Sequence, residues 1–289
     1  MENFNYEDIF MGVIEGKKRS YLRTFHDDYR LKRLVESLKL RNGTLLDIGC
    51  GGGITTESLN HYYPRVKIYG CDVSKHAIEY AKKFGSGKVK YSIIKNKKLP
   101  YEDNFFDAAL CLDVMEHVPD VNFFLKEVRR VIKKNGIFFL VVPCEGQSFT
   151  HTWFSQKLKF GDKMTFKRYG HIHPEFNHRY VEELIRKHGF IIKRKTYSEH
   201  FIYQLVSLII YFIPRELLDI FLGRKAKEYT DSGVIKYNKY EKKDLILYFR
   251  EFWFKFIRFL RRITAWELKL FKYIPLTAWK LIVLTQVKK

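Results

Sequence analysis

Cysteine is scarce in this chain: four residues in 289. None stands in a C-x-x-C pair, so neither a disulfide scaffold nor a metal site is expected, and a reducing cytosol fits. Cys50, Cys71, Cys111 and Cys144 each fall near the carboxyl end of an expected strand. There a small side chain lets backbone approach a ligand, and thiol chemistry is not expected. A secretory leader is not expected either, since Met1–Asp8 carries acids and no apolar core follows. The apolar run Phe201–Ile213 stops at 13 residues, with Gln204 and Ser207 inside it. That is short of the ~20 residues a spanning helix needs. Acids are outnumbered 53 to 32, which leaves a formal charge of +21. A basic, aromatic-rich chain points to nucleic acid or to an anionic membrane surface.

What is present is a glycine-rich loop. Leu45-Leu-Asp-Ile-Gly-Cys-Gly-Gly-Gly53 reads as the end of a buried strand followed by a tight turn. Ile54–Tyr62 then reads as a helix whose first N–H groups face the loop. A dinucleotide fingerprint would place its third glycine at position 54, which is Ile54. The spacing present is instead Asp47-x-Gly49-x-Gly51-x-Gly53. A second strand, Val66–Cys71, ends in Asp72, about 20 residues on, where doubly wound folds put an acid on ribose hydroxyls. Capping the helix Ser74–Lys83 is compatible with the same residue, and the ribose role is the expectation.

Leu99-Pro-Tyr-Glu-Asp-Asn-Phe-Phe-Asp107 precedes an apolar strand, Ala108–Leu112, and then Asp113-Val-Met-Glu-His-Val-Pro-Asp120. With the glycine motif, these stretches resemble class I S-adenosylmethionine (SAM) dependent methyltransferases, in the subgroup of the ubiquinone and menaquinone biosynthesis enzymes. The resemblance implies a doubly wound α/β seven-stranded sheet, parallel with an antiparallel last strand. It implies SAM as cofactor, held by Asp47, Gly49, Cys50, Gly51, Gly53, Asp72, Val73, Asn96, Cys111, Leu112 and Asp113. One departure is visible. Lys95 stands where the family has an Asp for the adenine amino group, and Asn96 beside it can accept that bond instead.

Further along, Val121–Ile132 has helical periodicity, Lys133–Gly136 reads as its stop signal, and Ile137–Val142 as a strand. A polar, His-rich loop covers Pro143–His178. A helix at Arg179–His188 and a strand at Phe190–Tyr197 follow, and Leu281–Val287 is assigned as the last strand. The expected organisation is covering helices in 1–40, a SAM-binding core in 41–199, a helical aromatic and basic insertion in 200–278, and the final strand in 279–289. In the insertion, Phe249, Phe252, Trp253, Phe256 and Phe259 recur at helical spacing among Arg and Lys, the pattern of an interfacial helix. A capping subdomain is the alternative.

Methyl transfer needs a base only for a hydroxyl or protonated amine acceptor. Among His151, His171, His173, His178 and Tyr180, His173 and His178 are the expected catalytic residues, and no metal is expected. The N-terminal segment is expected as a plain covering helix, with Tyr21 and His26 lining the site as the alternative. The function expected is methyl transfer to a small-molecule, lipid or lipid-linked acceptor at a membrane surface, by a cytoplasmic, peripherally attached enzyme. Nucleic acid is not the expected partner. The alternatives are an RNA or protein methyltransferase and a SAM-binding, non-catalytic module.

Overall fold

The computed structural model describes residues 29–157, 170–207, 266–267 and 270–289. The elements are α1 (Tyr29–Leu38), β1 (Gly43–Ile48), α2 (Ile54–Tyr62), β2 (Val66–Asp72), α3 (Lys75–Phe84), β3 (Lys90–Ile93), β4 (Phe106–Leu112), α4 (Val121–Val131), β5 (Ile132–Pro143), α5 (His151–Lys157), α6 (His178–Lys187), β6 (Phe190–Ser198), α7 (Phe201–Ser207) and β7 (Lys280–Val287). Together the strands form one seven-stranded sheet in the order β3-β2-β1-β4-β5-β7-β6. Strands β1 to β5 pair in parallel, while β7 is antiparallel to both β5 and β6.

Period-two alternation divides the apolar residues between two layers. On β5, Phe138, Leu140 and Val142 pack with Leu125 and Val128 of α4 and with Val181 and Ile185 of α6. The intervening Phe139 and Val141 face Leu34 and Leu38 of α1, Leu59 of α2 and Ile78 of α3. Each such side chain stabilises the fold by roughly 1.5–3 kcal/mol when fully buried. Helices therefore cover both faces, as a parallel sheet requires.

Two features of this topology position the site. Chain order reverses between β1 and β4, and the crevice at such a switch point lies outside the carboxyl ends of the strands. Because β7 runs antiparallel, its first residue lies where its neighbours finish: Lys280 pairs with Pro143 of β5 and with Ser198 of β6. The residues that open the last strand thus reach the same edge as the glycine loop.

Several expectations are corrected. Lys133–Gly136 does not end α4 in a free turn but belongs to β5, which starts at Ile132. Between the pairs Phe106–Ile132 and Ala108–Ile137 the register shifts, so the extra residues bulge, with Asn135 at φ 63°. The turn chemistry was present, but Lys133 Nζ bonds Asp107 at 2.7 Å and holds the bulge on the sheet. Glu116 and His117 lie before α4 in a separate 3-10 turn, Met115–His117, and Asp120 caps α4 through Phe123 N–H. The stretch between β5 and α6 is not all loop, since it contains α5. Residues 1–28, which hold Tyr21 and His26, and residues 208–265, which hold most of the insertion, lie outside the described residues. Among the described residues, no helix is long and apolar enough to cross a membrane.

Candidate active site

The glycine loop is built by the backbone. Gly49 and Cys50 N–H both donate to Cys71 C=O, at 2.8 and 3.0 Å, which folds the loop over the tip of β2. Gly49 sits at φ 73°, and a Cβ there would lie 2.2 Å from Val114 Cγ2, so glycine is required on both counts. Gly51, at φ 50°, donates its N–H to Asp72 Oδ2 at 2.8 Å and faces open space. The other Asp72 oxygen accepts from Ser74 N–H at 2.9 Å, and Ser74 rather than Asp72 caps α3 through Ala77 N–H. Asp72 thus braces the loop while keeping lone pairs for a ligand.

This loop forms one end of a cavity of about 810 Å³. Of the residues expected at a cofactor, Gly49, Gly51, Asp72, Val73 and Asp113 line it. Asp47, Cys50, Gly53, Asn96, Cys111 and Leu112 do not. Asp47 is buried and accepts from Thr56 Oγ1 at 2.7 Å. Burial, opposed by that bond and reinforced by Asp72, pushes its carboxyl up to about 7. Asn96 and Lys97, at φ 51° and 62°, form the turn closed by Lys98 N–H to Lys95 C=O. Asn96 is therefore exposed in a turn that favours its left-handed conformation, and Lys97 lines the cavity instead. Leu99, also in the lining, is fixed from α4: its N–H donates to Glu127 Oε2, and Arg130 donates to Leu99 C=O, Tyr101 C=O and Asp103.

The far end of the cavity gathers residues remote in sequence. Glu116 and His117 come from the 3-10 turn, His171 from the approach to α6, Gln204 from α7, and Trp279 and Lys280 from the start of β7. Lys280 Nζ reaches Asp113 Oδ1 at 3.0 Å and Glu199 Oε1 at 3.2 Å. Gln204 accepts from His151 N–H at 2.8 Å and donates to Glu199 and Thr277 carbonyls at 2.7 and 2.6 Å, joining three segments. His171 Nδ1 lies 2.5 Å from Glu145 Oε1, and both side chains are almost fully enclosed.

His173 and His178, the expected catalytic pair, lie outside the cavity lining. His173 uses Nε2 on Val118 C=O and Nδ1 on Glu175, both at 2.8 Å, and stacks on Phe176. His178 is buried at the start of α6 against Tyr197, where burial lowers its pKa to about 4. The cavity receives His117, His151 and His171 instead. Glu145, Glu199, Trp279 and Lys280 were missed altogether. Nothing local marks them, because only the insertion of β7 between β5 and β6 brings them together.

The residues fit SAM. The glycine loop admits a ligand against bare backbone, and Asp72 offers carboxylate to hydroxyls. Val73, apolar yet 55% exposed, provides with Ile94 and Leu99 an apolar wall for a flat ring. Asp72, Asp113, Glu116 and Glu199 in the lining suit a cationic ligand.

Comparison with known proteins agrees. Residues 46–140 match the methyltransferase domain family. The chain is 39% identical over 116 residues to a ubiquinone biosynthesis O-methyltransferase of Pelagibacter ubique, covering 39% of this chain and 46% of that one. It is 29% identical over 158 residues to the enzyme of the same name from Neisseria meningitidis, covering 51% and 66% respectively. It thus spans about half to two thirds of the length of these relatives. The fold is shared with phosphoethanolamine N-methyltransferase 2 of Haemonchus contortus, solved with SAM (TM-score 0.53, 17% identity, 90% of this chain and 52% of that one). It is also shared with the [4+2]-cyclase SpnF (TM-score 0.56, 18% identity, 96% and 86%), so fold alone does not set the chemistry. Residues 46–140 thus resemble a methyltransferase domain, and the seven-stranded fold is one that the chain shares with a methyltransferase solved with SAM.

Proposed function

We propose that the chain transfers the methyl group of SAM to a hydroxyl of a small-molecule, lipid or lipid-linked acceptor. The observation that carries this reading is one continuous cavity, with the glycine loop and Asp72 at one end and a walled polar cluster at the other. The names of the relatives, both O-methyltransferases, favour oxygen as the acceptor atom.

When bound, SAM supplies an electrophilic methyl on a sulfonium, whose leaving group needs no assistance. The protein's task is then alignment and exclusion of water. Gly49 and Gly51 bring backbone against the donor and Asp72 accepts from its hydroxyls. Val73, Ile94 and Leu99 cover its ring. Lys280 ties the tip of β4 at Asp113 to Glu199, so the wall between donor and acceptor is held from β7. Trp279 and Tyr203 give the acceptor end an aromatic lining.

We also propose attachment to an anionic membrane surface. The charge of +21 and the aromatic, basic run of 245–263 support it, as do exposed Phe201, Trp266, Leu270 and Tyr273 on either side of that run. The experiment is incubation of the full chain with methyl-labelled SAM and a lipid extract, followed by phase partition. Label in an alkali-stable ether of the lipid fraction is expected. Label only in RNA or protein would overturn the acceptor class. Flotation with anionic liposomes at low salt tests attachment, and protein that stays at the bottom would refute it.

A further inference from the structure

Glu199, just past the end of β6, and Trp279, just before β7, both line the acceptor end of the cavity. They lie one step beyond the Lys280–Ser198 strand pair. Trp279 N–H donates to Glu199 C=O at 3.2 Å, and Cys144 N–H donates to Trp279 C=O at 2.7 Å. Gln204 donates to the same Glu199 carbonyl at 2.7 Å. Lys280 Nζ holds Glu199 Oε1 at 3.2 Å and Asp113 Oδ1 at 3.0 Å. Glu199 stands at φ 59° and Asp113 at φ 53°. That left-handed backbone is uncommon outside glycine and concentrates at functional sites.

Among the described residues, neither Glu199 Oε2 nor Trp279 Nε1 makes a hydrogen bond, and both atoms are buried. The carboxylate oxygen only accepts and the indole nitrogen only donates. A hydroxyl answers both, because it donates through its proton and accepts through its lone pairs. The indole is fixed in orientation. His151 lies edge-on to it at 5.1 Å, His171 is tilted against it at 6.3 Å, and Lys280 Nζ sits 5.5 Å from its ring.

From this geometry we infer that Glu199 and Trp279 form an acceptor-recognition subsite, which reads one hydroxyl of an uncharged acceptor group and rejects anions. Asp113, Glu116 and Glu199 line this end of the cavity beside Lys280, whose ammonium is already shared between two of them. A carboxylate or phosphate ligand would bring Glu199 Oε2 a negative charge and no proton, a repulsion that selects by exclusion. A ligand without the hydroxyl leaves two buried polar atoms unpaired, the condition under which sites reject such analogues most strongly.

The inference rests on the methyl-transfer reading for its use, not for its existence. Under that reading the pair positions the acceptor and takes no part in bond making. Lys280 ties that placement to Asp113, at the tip of β4.

The test is isotope-labelled indole NMR of the full chain with SAM present, in which Trp279→Phe identifies the Trp279 signal. Three probes of similar shape are titrated: benzyl alcohol, toluene and benzoate. Benzyl alcohol should move the Trp279 indole proton downfield and saturate, with an affinity at least ~10-fold above that of toluene or benzoate. In Glu199→Gln the preference for the alcohol over benzoate should shrink at least ~10-fold. No response to the alcohol, an equal response to toluene, or a preference for benzoate overturns the subsite. Methyl transfer to the lipid extract tests its use. Trp279→Phe and Glu199→Gln should each raise the KM for the extract at least ~10-fold and leave kcat within about threefold. Unchanged kinetics in both variants refute a part in acceptor recognition. Saturation by the alcohol without any methyl transfer leaves the subsite standing and defeats the proposed function.

Discussion

The two ends of the cavity are built on different plans. The donor end is local: Gly49, Gly51, Asp72 and Val73 lie within 25 residues, braced by bonds between consecutive strand tips. The acceptor end takes Glu116, Glu145, His171, Gln204 and Lys280 from separate elements, and holds them by side chains that cross between segments. A local plan tolerates changes elsewhere in the chain. A dispersed one can be reshaped by a single anchoring residue, which lets one donor site serve different acceptors.

The sharpest break on the donor side is Gly49→Ala. Its Cβ meets Val114 at 2.2 Å in a backbone region that L-residues avoid, at a cost of several kcal/mol. SAM binding is expected to vanish in calorimetry, with a lowered melting temperature. On the acceptor side, Lys280→Met leaves Asp113 and Glu199 facing each other without their cation. Its side chain is 11% exposed, so a loss of about 3 kcal/mol is expected in urea titration. SAM affinity should fall far less than in Gly49→Ala. Equal losses in the two variants would erase the distinction between the ends.

The same contrast governs what could be read from the chain. β1, α2 and β2, with their glycine loop, follow from apolar runs and turn residues a few positions apart, and the structure places them at or near the expected bounds. Asp72 was legible because the distance from the glycine loop is set by one helix and one strand. Asn96 shows the limit: its composition suggested a ligand, while its place in a left-handed turn decides its conformation. His173 and His178 were chosen from an eye-catching run, yet neighbouring histidines in an irregular segment point different ways. Only His171 turns to the cavity, because Glu145 and the pairing of 170–172 with the 3-10 turn hold it there. The role of Lys280 required knowing that β7 runs antiparallel between β5 and β6.

Two smaller effects sharpen the donor side. Arg130→Ala removes the clamp on Leu99 and Tyr101 carbonyls and on Asp103. A destabilisation of about 2 kcal/mol is expected, along with severalfold weaker SAM binding. Asp47 supplies a pH signature. Its folded pKa, near 7, stands above the ordinary value of 3.8. Its contribution is therefore complete below about pH 4 and is lost as pH rises through 7. The wild-type melting temperature should fall between about pH 5 and 7 and level off above that, and Asp47→Asn should flatten that slope, by up to about 1.4 kcal/mol per pH unit. A slope unchanged in Asp47→Asn would assign it to another group.

The most direct measurement is calorimetric titration of SAM into the full chain, beside Asp72→Ala and His171→Ala. One site is predicted in the wild type, with binding at least ~100-fold weaker in Asp72→Ala and within threefold of wild type in His171→Ala. Absence of binding to the wild type, or the same loss in both variants, would contradict a local donor site joined to a separately built acceptor end.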